Sequence, residues 1–128
     1  MVRGNAPKSR APSQRQLRVG ELLREALTDT FARAPIRDPI LSTTPITVTE
    51  VRASPDLKQA RVFVMPLGGG DGAPVVKALS RAAPFLRAEV ARRVKLRHAP
   101  ALEFVFDHSF DESNFIDELL KEVSPPNE

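Results

Sequence analysis

Hydrophobic residues in the first part of the chain recur at the spacing of one helical face. Five residues share this face: Val19, Leu23, Ala26, Leu27 and Thr30. Ser13 followed by Gln16 fits a capping box, in which each residue satisfies a free backbone amide of the other, so the helix is predicted to begin here. Pro35 is predicted to close it, because the residue before a proline is disfavoured in the helical conformation.

Alternating and β-branched positions then predict strands. Residues 46–52 and 61–65 are rich in Val, Ile and Thr, and the sequence Ser54-Pro55-Asp56 between them favours a turn. These two strands are predicted to form an antiparallel hairpin. Residues 37–41, which precede it, are predicted to form a loop. A third strand is predicted where Leu102, Phe104 and Phe106 alternate with Glu103, Val105 and Asp107.

Helical spacing returns over residues 74–95. Eight apolar residues fall on one stripe there: Val75, Val76, Leu79, Ala82, Ala83, Leu86, Val90 and Val94. Pro84 interrupts the stripe, and a proline inside a helix removes a hydrogen bond and clashes with the carbonyl four residues back, at a cost of about 3 kcal/mol. The sequence therefore predicts two helices, or one sharp kink, at Pro84.

The two ends of the chain differ from the middle. Residues 1–12 are basic and show no periodicity, so they are predicted to be a disordered arm. Residues 13–123 are predicted to form one domain, and residues 124–128 a disordered tail. Within the domain, five apolar residues near the end have helical spacing and predict a short C-terminal helix: Phe115, Ile116, Leu119, Leu120 and Val123.

The predicted order of elements is αββααβ followed by the short helix. The fold class is therefore α+β, with a three-stranded sheet, a kinked helix pair and helices on one face of the sheet. This order is that of the type II KH domain, whose members bind nucleic acid.

Composition excludes several classes of protein. The chain has no Cys, so it has no disulfides, thiolate zinc sites or cysteine nucleophiles. Its longest stretch without a charged residue, residues 39–49, is too short to cross a bilayer, and no membrane association is predicted. The polar start lacks the apolar segment of a secretory signal, so a cytoplasmic protein is expected.

Charge is distributed unevenly along the chain. Residues 1–106 carry eighteen Lys and Arg against nine Asp and Glu, whereas residues 107–128 carry one against seven. A basic body with an acidic end suggests a surface for a polyanion. The alternative is that a small protein has this asymmetry by chance.

Basic residues concentrate in and after the kinked helical region, where Glu89 is the only acidic residue between positions 81 and 97. We interpret them as an RNA-contacting surface. Its candidate residues are Lys77, Arg81, Arg87, Arg92, Arg93, Lys95 and Arg97. Arg15, Arg18 and the N-terminal arm would extend it. The alternative is an ordinary solvated helix face, although such faces usually mix both signs of charge.

Three other motifs have weaker interpretations. The glycines at positions 68–72 lack the Lys-Ser/Thr of a phosphate-binding loop and are predicted to be a connector. Asp107, His108, Asp111 and Glu112 could form a metal or acid–base site, but turn and capping roles are favoured. Phe63, Phe104 and Phe106 could form a base-stacking platform, but core packing is favoured because Phe104 and Phe106 alternate with Leu102.

Several stretches resemble bacterial ribosome-binding factor A, over roughly residues 13–123. The most specific is Ile46-Thr47-Val48-Thr49-Glu50-Val51 followed by Ser54-Pro55-Asp56-Leu57 and Ala60-Arg61-Val62-Phe63-Val64. The opening of the first helix at residues 15–19, the segment at residues 37–41 and the third strand with its following Asp-x-Ser at residues 102–109 also resemble that family.

The resemblance implies a KH-like maturation factor of the small (30S) ribosomal subunit. Such a factor binds the immature subunit and its 16S ribosomal RNA, assists late assembly and rRNA processing, is not an enzyme and needs no cofactor. The family has an Ala-x-Gly kink between its helices, and the matching positions here are Ala82, Ala83 and Pro84. We expect a monomer when free. Two alternatives remain: a general single-stranded RNA-binding KH module, and a protein-interaction or dimerisation domain.

Overall fold

A computed structural model of the protein describes residues 11–34, 36–67 and 71–109. Its first helix, α1, spans Gln14–Arg33 and begins with the predicted capping box. Ser13 Oγ accepts from the Gln16 amide at 3.1 Å, and Gln16 Oε1 accepts from the Ser13 amide at 2.9 Å. All five residues of the predicted helical face are buried. The helix ends before residue 35, which lies outside the described residues.

The predicted loop at residues 37–41 is wrong in part, because a short helix, α2, spans Pro39–Thr43. Asp38 caps it, with Oδ1 accepting from the amides of Ile40 and Leu41 at 2.9 and 3.3 Å. An Asp at the N-cap followed by a Pro at the first helical position is a strong start signal, since proline has no amide to satisfy there. These two residues start a helix even though the segment is only five residues long.

The sheet contains three strands in the order β1-β2-β3. Strands β1 (Ile46–Ala53) and β2 (Gln59–Pro66) form the predicted antiparallel hairpin, with a register shift between Val48 and Glu50. Strand β3 (Ala101–Phe106) pairs with β2 in parallel. In the turn of the hairpin, Leu57 has a φ of 61°, a left-handed conformation that is rare for residues other than glycine.

The longest helix, α3, spans Gly72–Arg93 and begins at Asp71, whose Oδ1 accepts from the Ala73 amide at 3.0 Å. The prediction of two separate helices is corrected, because the helix is continuous and contains Pro84. Pro84 is exposed, so the carbonyl of Ser80 that loses its helical donor can be satisfied by water. Apolar residues on both sides of Pro84, Leu79 and Leu86, are fully buried and hold the two halves on the same sheet.

Helices α1 and α3 cover one face of the sheet, and the core lies between. Leu23 and Leu27 of α1 pack in one cluster with Val62 and Val64 of β2 and with the buried residues of α3. A Cβ added to Gly20 would lie 2.5 Å from the Val51 carbonyl oxygen, so glycine permits the close approach of α1 to β1. The α+β class with a KH-like three-stranded sheet is confirmed.

Phe104 on the third strand belongs to this core rather than to a stacking platform. Phe104 is buried opposite Val62, and Phe106 lies over Gly72, where an added Cβ would meet its ring. Phe63 lies on the opposite face of the sheet, with the Arg52 guanidinium 5.0 Å from its ring centre. Core packing of Phe104 is confirmed.

Several predictions fall on residues that the structure does not describe. They are the N-terminal arm except residues 11 and 12, glycines 68–70, the short C-terminal helix and the tail at residues 124–128. Asp111 and Glu112 are also outside the described residues. Among the residues described, no helix is long and apolar enough to cross a membrane.

Candidate nucleic-acid interface

Three of the predicted cations lie on the exposed side of α3. Lys77, Arg81 and Arg92 are exposed, whereas Leu79 and Leu86 are buried on the other side. Arg81 and Arg92 follow Lys77 by four and fifteen residues, which places them within about 60° of Lys77 around the helix axis. The three side chains therefore lie on one side of the helix, as their spacing predicts.

Lys95 and Arg97 lie beyond the helix, which ends at Arg93 with an extended C-cap at Val94. Both are exposed in the connection that leads to β3. Across residues 11–34, 36–67 and 71–109, no carboxylate forms an ion pair with Lys77, Lys95 or Arg97. Their positive charges are therefore available to an anionic partner.

Arg93 differs from its neighbour Arg92, because its side chain is 24% exposed and that of Arg92 is 73% exposed. Arg93 Nη1 lies 2.6 Å from Glu89 Oε1, and Arg93 Nε lies 3.0 Å from Asp29 Oδ2. Arg92 Nη2 lies 2.7 Å from the other oxygen of Glu89. Because Asp29 belongs to α1, Arg93 links the two helices.

The hydrogen bond from Arg93 lowers the pKa of Asp29, and Arg33 adds to this effect. Arg93 also lowers the pKa of Glu89, by more than burial raises it. Both carboxylates are charged at neutral pH and balance the charge of Arg93. Helical spacing contains a signal for this placement, because Arg93 follows the buried Leu86 by seven residues and so lies on the apolar side.

Two further candidate cations have partners of a different kind. Arg81 Nη2 lies 3.1 Å from Oδ2 of Asp38, the residue that caps α2. Burial raises the pKa of Asp38. The hydrogen bonds from Arg81 and from the amides of Leu41 and Ile40 together lower this pKa by more, so the net shift is downward. Arg87 donates from Nε and Nη2 to the Ala99 carbonyl at 2.9 and 2.7 Å. A carbonyl has no net charge, so Arg87 remains positive.

Arg15 and Arg18 are exposed on the first turns of α1, on a different element from the other cations. The neighbouring Gln16 donates from Nε2 to the Ala53 carbonyl at 3.0 Å, which places this end of α1 beside the hairpin turn. The connection that carries Lys95 and Arg97 leads to the same end of the sheet, because the Ala101 amide donates to the Lys58 carbonyl.

The residues predicted to form the kink, Ala82, Ala83 and Pro84, lie in the middle of α3. Next to them is a concave surface that the sequence interpretation missed, with Phe85 on one wall and Arg37 on another. The signal for Phe85 is its position, since it is a large aromatic residue four positions after Arg81, away from the buried stripe.

Asp107 and Gly72, which belong to the other candidate motifs, have structural roles. Asp107 accepts from Thr49 Oγ1 and, at 2.9 Å, from the Ser109 amide, so it joins the end of β3 to the irregular position in β1. In the described part of the chain, no group of His, Asp or Glu residues could hold a metal ion. Gly72 is explained by its contact with Phe106.

Comparison with known proteins adds a second line of evidence. The model of a family described as ribosome-binding factor A matches residues 15–120. The chain is 55% identical over 116 residues to a ribosome-binding factor A of Methylobacterium radiotolerans, and the match covers 91% of this chain and 82% of that protein. The chain belongs to the ribosome-binding factor A family.

Solved structures of ribosome-binding factor A have the same fold. The crystal structure of the Thermus thermophilus protein matches with a TM-score of 0.59 and 33% identity, over 70% of this chain and 93% of that one. A homology model of the T. thermophilus factor, fitted into a cryo-electron-microscopy map of a 30S complex, matches with a TM-score of 0.56 and 33% identity, over 70% of this chain and 91% of that one. All candidate cations and the kink lie within the residues that the family model matches.

Proposed function

We propose that this chain is a noncatalytic assembly factor that binds the immature small ribosomal subunit and its 16S ribosomal RNA. It assists late assembly and rRNA processing in the cytoplasm and acts as a monomer. The proposal starts from family membership and from the T. thermophilus relative, which is described in a complex with the 30S subunit.

The observation that carries the proposal is the unbalanced charge along and after α3. Lys77, Lys95 and Arg97 have no carboxylate partner among the described residues, and Arg87 keeps its charge beside a neutral carbonyl. Such cations neutralise phosphates and release counterions, which is the main source of affinity for nucleic acid. Arg92 shares one carboxylate with Arg93 and contributes at the edge of this surface.

We define the basic surface as Lys77, Arg81, Arg87, Arg92, Lys95 and Arg97. Arg93 supports it from beneath by fixing α3 on α1, and Arg15 and Arg18 extend it at the hairpin-turn end. Binding by this surface needs no bond-making chemistry and no cofactor.

Cosedimentation tests the proposal. The protein is mixed with purified immature small subunits, mature small subunits, large subunits or bulk RNA, and the bound fraction is measured across a range of protein concentrations. We expect saturable binding to small subunits and weak, unsaturated binding to the others. The double variant Lys95→Gln with Arg97→Gln should weaken small-subunit binding about tenfold or more, because each lost charged contact is worth about 1 kcal/mol or above.

A matched control is available on the other face of the sheet. Arg52 and Arg61 are exposed there and paired with Glu50 and Glu103. The variant Arg52→Gln with Arg61→Gln removes the same charge and should leave binding within twofold. Equal binding of all RNAs would favour the general RNA-binding module, and self-association without subunit binding would favour the dimerisation domain; either result contradicts the proposal.

Cells provide the test of the maturation role. In cells that lack the protein, precursor 16S rRNA should accumulate, and the wild-type chain should restore its processing. The Lys95→Gln with Arg97→Gln variant should fail to do so, whereas the Arg52→Gln with Arg61→Gln control should succeed. Normal processing in cells without the protein would contradict the assembly role.

A further inference from the structure

A groove of about 480 Å³ lies between the segment that precedes α2 and the middle of α3. It is separate from the unpaired cations at the end of α3. Six residues line it: Ile36, Arg37, Asp38, Arg81, Ala82 and Phe85. Its volume falls in the range of about 300 to 1,000 Å³ that is typical of sites for small organic groups.

Phe85 supplies an aromatic wall. It is 38% exposed and is the one aromatic residue among the large exposed hydrophobic residues in the part of the chain that the structure describes. Its neighbour Leu86 is fully buried in the core, whereas Phe85 is not among the residues packed against that core. A single exposed hydrophobic residue is ordinary, but this one faces a concave surface that also contains two guanidinium groups.

Arg37 and Arg81 supply the charge. Within the described residues Arg37 has no ion pair, and Arg81 uses only Nη2 for its bond to Asp38. Asp38 uses Oδ1 to cap α2 and Oδ2 to hold Arg81. The carboxylate is therefore committed to protein groups, while guanidinium N–H donors remain for a ligand.

We propose that this groove binds one unstacked nucleotide of single-stranded RNA. The base stacks on Phe85, and the phosphate is contacted by Arg37 and Arg81. Aromatic rings accept any base by stacking, and guanidinium groups match phosphate oxygens. Two guanidiniums beside an aromatic ring favour a nucleotide over an apolar peptide side chain, which would leave both charges without a partner.

The same line of exposed residues connects this groove to the basic surface. Lys77, Arg81, Phe85 and Arg92 are separated by four, four and seven residues, so they lie along one side of α3. An RNA strand that follows these cations therefore passes the groove. This inference rests on the proposed function, since the RNA in question belongs to the subunit.

Substitution of the ring tests the inference. Phe85→Leu keeps an apolar side chain but removes the stacking surface, and Phe85→Tyr keeps the ring. Stacking contributes about 1–3 kcal/mol per base, so Phe85→Leu should raise the Kd for a labelled short oligouridine and for small subunits about tenfold. Phe85→Tyr should remain within twofold, and both variants should keep the wild-type unfolding temperature.

Photocrosslinking tests the position of the base directly. An oligouridine that contains 5-iodouridine is irradiated in complex with the full chain, and the crosslinked peptide is identified by mass spectrometry. We expect the crosslink at Phe85 and its loss in Phe85→Leu. A crosslink confined to other residues would overturn the inference.

The outcomes separate this inference from the proposed function. If Lys95→Gln with Arg97→Gln weakens small-subunit binding but Phe85→Leu does not, nucleotide binding in the groove is contradicted and the proposed assembly function is supported. If Phe85→Leu weakens binding to subunits but not to oligouridine, the groove holds a protein side chain, and the inference that it binds a nucleotide is overturned. If the wild-type chain does not bind small subunits, the proposed function fails, whereas oligouridine binding still tests the groove.

Discussion

Arg92 and Arg93 are neighbours in sequence, and the structure gives them different roles. Arg92 projects into solvent beside one oxygen of Glu89, whereas Arg93 lies between Glu89 and Asp29 and is mostly covered. An exposed ion pair contributes little to stability. Arg93 differs because it joins α3 to α1, and without it Asp29 and Glu89 would keep only the partners on their own helices, Arg33 and Arg92. The two positions therefore separate the surface from its support.

Arg93→Gln should lower the unfolding temperature by several degrees at pH 7, and Arg92→Gln should lower it much less. The pKa values of Asp29 and Glu89 are lower in the folded protein than in the unfolded chain. Their contribution to stability is therefore complete above the ordinary carboxyl pKa of about 4 and is lost as the pH falls through the folded values. Thermal unfolding between pH 7 and pH 3 measures this.

The difference between wild type and Arg93→Gln should shrink as the pH falls below about 4, because the carboxylates that Arg93 stabilises become protonated. Arg92→Gln is the matched control, with the same change of charge at an adjacent position. A pH-independent difference, or equal effects of the two variants, would show that the network does not stabilise the fold.

At the scale of elements, α3 is a continuous helix that contains Pro84, a residue that destabilises helices. Pro84 provides no amide for the Ser80 carbonyl, and its ring crowds the preceding turn. The burial of Leu79 and Leu86 keeps both halves on the sheet. Proline in a helix interior usually bends it. We therefore predict that Pro84 sets the direction of Lys77 and Arg81 relative to Arg92 and so shapes the basic surface.

Pro84→Ala should restore the helical hydrogen bond and stabilise the fold by about 1 to 3 kcal/mol. The same variant should weaken small-subunit binding, because a straighter helix changes the alignment of the cations. Pro84→Gly, which introduces the residue that the resemblance predicts at this position, should keep binding. Chemical denaturation and cosedimentation measure the two properties, and equal affinity of Pro84→Ala and wild type would remove the bend from the mechanism.

At the scale of the whole molecule, the charge is separated along the chain. The first 106 residues carry an excess of nine positive charges, and the last 22 carry an excess of six negative charges. The positive part of the chain attracts polyanions. Salt screens this attraction, with a screening length of about 8 Å at physiological ionic strength. The chain should therefore bind small subunits with a strong dependence on salt.

Titration of small subunits at several salt concentrations should give a steep log–log dependence of affinity. Each phosphate contact contributes about 0.7 to 0.9 to the slope, so Lys95→Gln with Arg97→Gln should make it shallower by about 1.4 to 1.8. The control variant Arg52→Gln with Arg61→Gln should keep the full slope. If both variants lose the same slope, net charge rather than the basic surface controls binding.

Local patterns were enough to predict most of the fold. The capping box at Ser13 and Gln16 and the buried face of α1 depend on residues three or four positions apart. The hairpin depends on alternation and on a turn of a few residues. Such interactions are encoded within short windows, so they can be derived without knowledge of the chain path. The resemblance to the family supplied the expected function in the same way, from short stretches.

Only the tertiary structure decided which cations have carboxylate partners. Arg93 meets Asp29 across 64 positions of the chain, and Arg81 meets Asp38 across 43. The groove beside Phe85 forms where the segment before α2 comes close to the middle of α3. Burial and ion pairing depend on which distant elements pack together, and packing distances are not contained in a local pattern. The sequence therefore determined the sign of the surface and the elements other than α2 and the continuity of α3, while the packing of α1, α2 and α3 determined which charges remain available.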